Sequence, residues 1–289
     1  MKIELLAADS LGTRSMATYV ETGDLKIMID PGVALSPDRF SLPPHPVEER
    51  RKNDAWELIK LRLEEADLVI ITHFHRDHFN PDHPEVFDGK FVYLKDYDHN
   101  INYHQKLRAE DLINKISTRV KRLEVAEGKI LSLGDTEIHF SPPLPHGGSE
   151  KLGFVVSLSI KSDETFLFTS DVQGLVRPEH IDFILNENPD IIYLDGPNTP
   201  MLGYRFFDED LKTSIENISR LTGLSRRIIV DHHLLRDPEW RSRLGSISSR
   251  VETAAHFMGK AEELLEANRR ELYKDQPVEN VEKLRKFVE

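Results

Sequence analysis

Cysteine is absent from this 289-residue chain. Its absence excludes disulfide bonds, cysteine nucleophiles and thiolate metal ligands, so a bound metal would need nitrogen and oxygen ligands. Long hydrophobic runs are missing as well, and none approaches the ~20 apolar residues that a membrane-spanning helix needs. The N-terminal segment is too short and too acidic for a signal peptide. We therefore expect a cytoplasmic protein that has no membrane partner.

The sequence also lacks an excess of positive charge. It contains 38 Lys+Arg against 50 Asp+Glu, which gives a formal net charge of −12. Such a chain is a poor general ligand for phosphate backbones, because these need counter-charge. A small-molecule substrate is therefore the favoured partner, nucleic acid is the alternative, and a homo-oligomer is compatible with the composition. The one basic stretch, at 115–122, is typical of a solvated helix face.

The most informative segment is 72–78, which contains three histidines and an aspartate. It follows a short apolar run at 68–71 that is rich in β-branched residues and therefore indicates a buried strand. The polar side chains thus lie where a strand ends and a loop begins, a position at which α/β proteins place their chemistry. Imidazole and carboxylate groups at this spacing favour a metal site. The four candidate ligands are His73, His75, Asp77 and His78.

Other apolar runs also end in potential ligands or their partners. Asp30 ends an early run, Asp171 and Asp195 end two later runs, and the last run leads into 231–233, which reads Asp-His-His. His146 lies in a loop between strands, before two glycines. Strands of one layered sheet system can bring their ends to a common edge, where several acids would repel one another without a cation. For Asp30 and Asp195, capping of a turn is an equally good interpretation.

These motifs together resemble those of the metallo-β-lactamase superfamily. The signature His-x-His-x-Asp-His follows a buried strand at 73–78, and the later motifs follow in order within roughly residues 1–235. More narrowly, the chain resembles a mostly archaeal branch of that superfamily. The resemblance implies an α/β fold, an αββα four-layer sandwich of two mixed β-sheets flanked by helices, with the metals at one edge.

The remaining segments are expected to be additions to a single domain that spans 1–289. Helical insertions are expected near 47–66 and 100–125, and a helical C-terminal extension at about 240–289. Within the extension, apolar residues at helical spacing predict one helix from about 250 to 273, and a second helix is expected at 278–288.

The resemblance also implies two divalent metal ions, for which zinc is preferred and manganese or iron are alternatives. Three groups of ligands follow from the motifs: His73, His75 and His146 for the first ion; Asp77, His78 and His232 for the second; and Asp171 between them. His232 is preferred to His233 because Val230-Asp231-His232 parallels Ile71-Thr72-His73. His233 would then support a ligand or donate a proton near the substrate.

The predicted function is that of a hydrolase in which a hydroxide held between two metals attacks the substrate. Asp77 would bind metal and also orient the hydroxide or protonate the leaving group, while His233, Asp195 or Asp231 would orient ligands. The expected substrate is a small ester, lactone, thioester or phosphoester. The alternatives are a phosphodiesterase or nuclease acting on RNA or DNA, and a metal-binding module without catalysis. Residues 79–81 depart from the superfamily pattern and are expected to shape the pocket mouth.

Overall fold

Two six-stranded β-sheets form the centre of the protein, whose computed structural model describes residues 1–278. The first sheet contains, in spatial order, β1 (Lys2–Leu5), β2 (Thr18–Glu21), β3 (Lys26–Ile29), β4 (Leu68–Ile71), β5 (Phe91–Leu94) and β6 (Arg122–Val125). The second contains β14 (Arg227–Val230), β13 (Ile191–Leu194), β12 (Thr165–Phe168), β11 (Leu158–Lys161), β8 (Thr136–Phe140) and β7 (Ile130–Leu133). A separate two-stranded ribbon pairs β9 (Leu144–Pro145) with β10 (Phe154–Val155).

Helices cover the outer face of each sheet. Helices α1 (Pro46–Glu65) and α2 (Tyr103–Ile116) pack on the first sheet. Helices α3 (Pro178–Glu187), α4 (Asp208–Leu221) and α5 (Trp240–Leu244) pack on the second. Two shorter helices follow, α6 (Ala254–Phe257) and α7 (Arg269–Asp275). None of the helices in the described part of the chain is long and apolar enough to span a membrane.

Strand β4 illustrates how the sequence produces these layers. Leu68 and Ile70 belong to the core between the two sheets, whereas Val69 and Ile71 belong to the core beneath α1 and α2. Successive side chains of a strand point to opposite faces, so a strand covered on both sides needs apolar residues at every position. The αββα sandwich of two mixed sheets predicted from the sequence is therefore confirmed.

The carboxyl ends of the parallel strands meet at one edge of this sandwich. Strands β3, β4 and β5 are parallel in the first sheet, as are β12, β13 and β14 in the second. The two sets of ends touch where the Thr72 and Ser170 hydroxyls lie 2.6 Å apart. Asp30, Ser170 and His232 all adopt left-handed backbone conformations there, with φ of 47°, 56° and 47°. Such conformations are uncommon outside glycine and concentrate at functional sites.

The insertion near 100–125 is helical only in its first part. Helix α2 ends at Ile116, and the chain then returns to the first sheet as β6, in which Arg122 lies opposite Phe91 of β5. The sequence prediction of helix through this insertion missed that strand. Pairing with the exposed edge of β5 decides the conformation here, because β-structure depends on neighbouring strands more than on local propensity.

The C-terminal extension also differs from the single helix expected at 250–273. Only α6 and α7 are helical there; Gly259, with φ of 66°, ends the first helical segment. The Glu263 N–H then donates to the Ser10 carbonyl at 2.8 Å, so the backbone of this segment bonds to the N-terminal loop rather than to itself. The helix expected at 278–288 lies outside the described residues.

A buried ion pair joins the extension to α1. Arg269 and Glu48 are both fully buried, and Arg269 donates to the two Glu48 carboxylate oxygens at 2.9 Å each. The same guanidinium donates to the Ser36 and Leu42 carbonyls. Glu48 also accepts the His45 N–H, which caps the start of α1. One side chain thus holds together the extension, a loop and a helix end.

Replacing Arg269 with Met should test the importance of this pair for stability. The change leaves the Glu48 carboxylate buried without its cation, so the free energy of unfolding should fall by roughly 3–5 kcal/mol in chemical denaturation. Adding Glu48→Gln should recover part of the loss, because the amide is neutral and its oxygen still accepts the His45 N–H.

The matched control is Lys274→Met, which removes the exposed Lys274–Glu271 pair of α7. Its denaturation midpoint should equal that of the unmodified protein. If the Arg269→Met protein is as stable as this control, the buried pair does not stabilise the extension.

Candidate metal centre

The Asp171 carboxylate lies at the centre of a cluster of buried imidazoles. Its Oδ2 is 3.4 Å from Nε2 of both His73 and His146. Its Oδ1 is 3.2 Å from Nε2 of His78 and 3.5 Å from Nε2 of His232. The two oxygens of one side chain therefore face two different pairs of histidines.

His75 and Asp77 complete these two groups. His75 Nδ1 lies 3.0 Å from His73 Nε2 and 3.3 Å from His146 Nε2. Asp77 Oδ2 lies 3.6 Å from His232 Nε2. Within each group the candidate ligand atoms are no more than 4.8 Å apart, and the groups are His73, His75, His146 and Asp171, and Asp77, His78 and His232. All seven residues predicted as metal ligands are thus brought together.

Most of the imidazole rings contact a side chain outside the ligand groups through Nδ1, so that Nε2 faces the cluster. His78 Nδ1 lies 2.8 Å from Asp30 Oδ2, and His232 Nδ1 lies 2.9 Å from Asp9 Oδ2. His146 Nδ1 lies 3.2 Å from the side-chain amide of Gln173. A carboxylate acceptor at one ring nitrogen selects the tautomer whose other nitrogen can bind a metal.

The acids at the strand ends have unequal roles. Asp30 also accepts the Thr72 N–H and hydroxyl at 2.7 and 2.6 Å, so it both fixes a turn and orients His78. Asp195 likewise accepts the Gln173 N–H at 2.6 Å and lies 2.9 Å from His233 Nδ1. Asp30 and Asp195 therefore each cap a turn and also orient an imidazole ring.

Asp231 contacts no imidazole of the cluster, contrary to its expected role as an orienting group. Its Oδ1 accepts the N–H groups of Ser10 and His232 at 2.9 Å each, and its Oδ2 accepts the Ala254 N–H at 3.0 Å. The carboxylate is fully buried and these backbone donors occupy both oxygens. Asp231 therefore connects the N-terminal loop to α6.

The two adjacent histidines after β14 both approach Asp171, but they face different oxygens of its carboxylate. His232 Nε2 faces Asp77 and Asp171, within the second group of ligand atoms. His233 is 6% exposed and lines the cavity above the cluster, with Nε2 3.8 Å from Asp171 Oδ2. The two rings pack edge-on with centroids 4.7 Å apart, because the left-handed conformation of His232 breaks the strand-like alternation that would have sent them to opposite faces.

The electrostatics of the cluster favour charged carboxylates beside rings of two kinds. Burial opposes charge on His78 and His232, but nearby carboxylates, Asp171 among them, raise the pKa of His78 well above its usual range and that of His232 to about 9. Burial raises the pKa of Asp77, but the charges of His78 and His232 outweigh it and hold the pKa well below its usual range. Burial, with the charge of His78, lowers the pKa of His73 to about 4. Burial also lowers the pKa of His75 well below that of a free imidazole. His73 and His75 therefore keep their lone pairs available at neutral pH.

Asp9 and Arg236 also belong to the site, although neither was among the residues predicted from the sequence. Arg236 Nε donates to Asp9 Oδ1 at 3.1 Å, and its Nη2 lies 3.6 Å from Asp77 Oδ2 and 3.0 Å from His232 Nε2. Asp9 ends the apolar run at 5–8, as Asp30 ends the run of the third strand, and this shared pattern is visible in the sequence. Arg236 comes four residues after His232, one turn further on. No comparable signal identified Gln173.

The expectation that residues 79–81 shape the pocket mouth is wrong. Phe79 is fully buried and its ring packs edge-on against Phe74, with centroids 6.0 Å apart. The backbone there passes so close to Gly32 that a Cβ on Gly32 would lie 2.2 Å from the Phe79 nitrogen. Because of this close packing, Phe79 points into the core. Other loops line the cavity above the cluster.

Comparison with known proteins agrees with this architecture. The model of the metallo-β-lactamase superfamily matches residues 12–230. A UPF0282 protein of Korarchaeum cryptofilum (strain OPF8) is 44% identical over 291 residues, covering 98% of this chain and 97% of that protein. A UPF0282 protein of Sulfolobus acidocaldarius is 41% identical over 287 residues, covering 94% of this chain and 93% of that protein.

Two solved structures share the fold at low sequence identity. An isothiocyanate hydrolase from Delia radicum gut bacteria has a TM-score of 0.52 and 17% identity, covering 83% of this chain and 94% of that chain. A possible metal-dependent hydrolase from Veillonella parvula DSM 2008 has a TM-score of 0.52 and 12% identity, covering 87% and 94%. The superfamily model covers most of the chain, and the archaeal relatives align along nearly all of it. The chain therefore belongs to the metallo-β-lactamase superfamily and, within it, to the archaeal UPF0282 proteins.

Proposed function

We propose that the protein is a metal-dependent hydrolase whose centre holds two divalent ions. The observation that carries this proposal is the position of Asp171, whose two carboxylate oxygens face two different groups of ligand atoms. Oδ2 faces His73 and His146, and Oδ1 faces His78 and His232. A carboxylate shared in this way suits two neighbouring ions.

Unsatisfied buried atoms support a cation at this position. His78 Nε2 and Asp171 Oδ1 are buried and have no hydrogen-bond partner, although they lie 3.2 Å apart. Buried polar atoms are nearly always satisfied in proteins, and an ion beside both atoms would satisfy both. The donor set consists of imidazole nitrogens and carboxylate oxygens without sulfur, which fits zinc and also manganese or iron.

The proposed ligands divide into two sets that share Asp171. The first set is His73 Nε2, His75 Nδ1 and His146 Nε2, and the second is Asp77, His78 Nε2 and His232 Nε2. When bound, two such ions make water a nucleophile at neutral pH and stabilise negative charge that develops on the substrate. We prefer His232 to His233 as a ligand because only His232 belongs to the group with Asp77 and His78.

The other side chains of the site orient the ligands and move protons. Asp9 and Asp30 hold His232 and His78 by Nδ1, so that Nε2 of each ring stays directed inward. Burial keeps the pKa of His233 well below its usual range, and its Nδ1 hydrogen bonds to Asp195. His233 Nε2 then presents a lone pair to the cavity, where it can take a proton and return it to a leaving group.

We propose that the substrate is a small ester, lactone, thioester or phosphoester. Nucleic acid is the less favoured alternative, because the basic stretch at 115–122 offers no free groove. Lys115 pairs with Asp111 at 2.9 Å and Arg119 pairs with Asp88 at 3.0 Å. Neither cation lines the cavity above the cluster.

Metal content will test the two-ion proposal. After loading with zinc and dialysis, the unmodified protein should retain about two ions per chain, measured by plasma mass spectrometry. His146→Ala and His232→Ala each remove a ligand from one set, so each variant should retain about one ion. His83→Ala, which changes a partly exposed histidine paired with Glu85, is the control and should retain the full content.

The possible results test the binuclear centre and the hydrolase function separately. A single ion in the unmodified protein, unchanged by His232→Ala, would contradict a binuclear centre. A protein that binds no zinc, manganese or iron would contradict the hydrolase proposal itself.

Replacement of His233 by Gln will test the proton-transfer role. Turnover of the best substrate among 4-nitrophenyl acetate, bis(4-nitrophenyl) phosphate, a lactone and a thioester should fall by about 10²–10⁴-fold, the usual contribution of general acid–base catalysis. Metal content should not change, because His233 is not a proposed ligand.

The pH dependence of kcat/KM tests the lowered pKa of His233. A base with a lowered pKa stays unprotonated as pH falls, so the acid limb of kcat/KM should lie below the ordinary histidine range. That limb should disappear in the His233→Gln variant. A loss of metal together with activity would instead identify His233 as a ligand.

A further inference from the structure

The cavity above the metal cluster is large and has several walls. Its volume is about 1160 Å³, somewhat above the range of about 300–1,000 Å³ that is usual for small-molecule sites. His75, Asp77, His146, Asp171 and His233 form part of its floor. The walls come from loops near residues 34–39, 148–152 and 198–210, together with Arg108 of α2.

The charges on these walls are almost all positive, although the chain carries a net charge of −12. Among residues 1–278, Asp210 is the one lining carboxylate outside the cluster, and it accepts the Phe207 N–H at the start of α4. The lining cations form two sets, an inner set of Arg14, Arg39 and Arg236 and an outer set of Arg76, Arg108, Lys151 and Arg205.

The inner set lies beside two carboxylates of the protein, Glu266 and Asp9. Arg14 makes a two-pronged contact with Glu266 at 2.5 and 2.6 Å, and Arg39 lies 4.0 Å from the same side chain. Arg236 pairs with Asp9 at 3.1 Å. Arg14 and Arg236 therefore each have a close carboxylate partner, whereas Arg39 shares Glu266 with Arg14, and its buried Nε has no hydrogen-bond partner in the described part of the chain.

The outer set lacks such partners in the described part of the chain. Arg108 is half-buried and makes only a 3.4 Å contact to the Phe74 carbonyl, while Lys151 and Arg205 have no carboxylate within 4.0 Å. Arg76 lies over the Phe79 ring, and the carboxylate that it meets is that of the exposed Asp82, at 3.9 Å. Burial, together with the charge of Arg76, lowers the pKa of Arg108. Like charges gathered at the rim of a cleft attract an anion from solution.

Two exposed apolar side chains line the same cavity. Phe207 is 55% exposed and Met201 is 36% exposed. A ligand that contacts the cations with its charge could therefore place an organic group against these side chains. Guanidinium groups bind phosphate oxygens through paired, charge-assisted hydrogen bonds.

We propose that the substrate is a small organic phosphoester, whose negative charge is bound by Arg76, Arg108, Lys151 and Arg205 and whose organic group contacts Phe207 and Met201. This inference rests on the proposed hydrolase function and narrows its substrate class. It disfavours neutral esters, lactones and thioesters, which would gain nothing from the positive charge of the outer set.

Binding of phenylphosphonate tests the anion site without turnover, because its carbon–phosphorus bond resists hydrolysis. Calorimetry on the metal-loaded protein should show that Arg108→Gln and Lys151→Gln each weaken binding by about tenfold or more, the effect of one charge-assisted hydrogen bond. Arg108→Lys should keep part of the affinity. Lys115→Gln, on α2 but outside the cavity, is the matched control and should bind like the unmodified protein.

Turnover of substrates that all release 4-nitrophenol gives a second measure of the anion site. For 4-nitrophenyl phosphate or bis(4-nitrophenyl) phosphate, kcat/KM should fall about tenfold in Arg108→Gln, mainly through KM, and should decrease with added salt. For neutral 4-nitrophenyl acetate, kcat/KM should be low and equal in all variants.

The outcomes separate this inference from the hydrolase proposal. Arginine-dependent phosphonate binding without any hydrolysis would support the anion site and count against the hydrolase. Hydrolysis with equal phosphonate affinity in Arg108→Gln, Lys151→Gln and Lys115→Gln would overturn the anion site alone. Preference for the neutral acetate, or cleavage of oligonucleotides that depends on Lys115, would overturn it as well.

Discussion

The structure depends on gathering charged and polar groups at one buried point without leaving them unbalanced. Asp171 and Asp77 lie among imidazoles whose outer nitrogens are held by acids from other strand ends, including Asp9 and Asp30. Each such acid fixes one ring and makes it a better ligand. The parallel strands of both sheets supply these positions because their carboxyl ends share an edge, so the layered fold and the cluster are consequences of one arrangement.

Much of the fold and of the ligand cluster could be predicted from the sequence, because strand periodicity and ligands at strand ends are local features. The motif at 73–78 and Asp171 each follow a continuous apolar run, which identifies a strand buried on both faces. Other features depend on contacts between distant segments. Asp195 and Asp231 follow similar strands, yet only Asp195 reaches an imidazole, since three backbone N–H groups occupy Asp231. The inward turn of Phe79 follows from its contact with Gly32, which no local pattern reveals.

The cavity shows why overall charge is a weak guide to the charge of a site. A net charge of −12 favoured a small substrate over nucleic acid, and Lys106 and Lys115 of α2 pair with neighbouring acids. The cavity walls nevertheless gather positive side chains from loops far apart in sequence, such as those that carry Arg76 and Arg205. An electrostatic field depends on where charges lie, and composition reports only their sum.

The order of the ligands along the chain has a consequence for the protein during its synthesis. In the proposed assignment, the first ligand set is complete once Asp171 has been made, whereas the second waits for His232. Arg14, near the start, receives its carboxylate only with Glu266. Because synthesis runs from the N-terminus and contacts so distant in sequence form slowly, a nascent chain can offer a place for one ion well before it can offer a place for two.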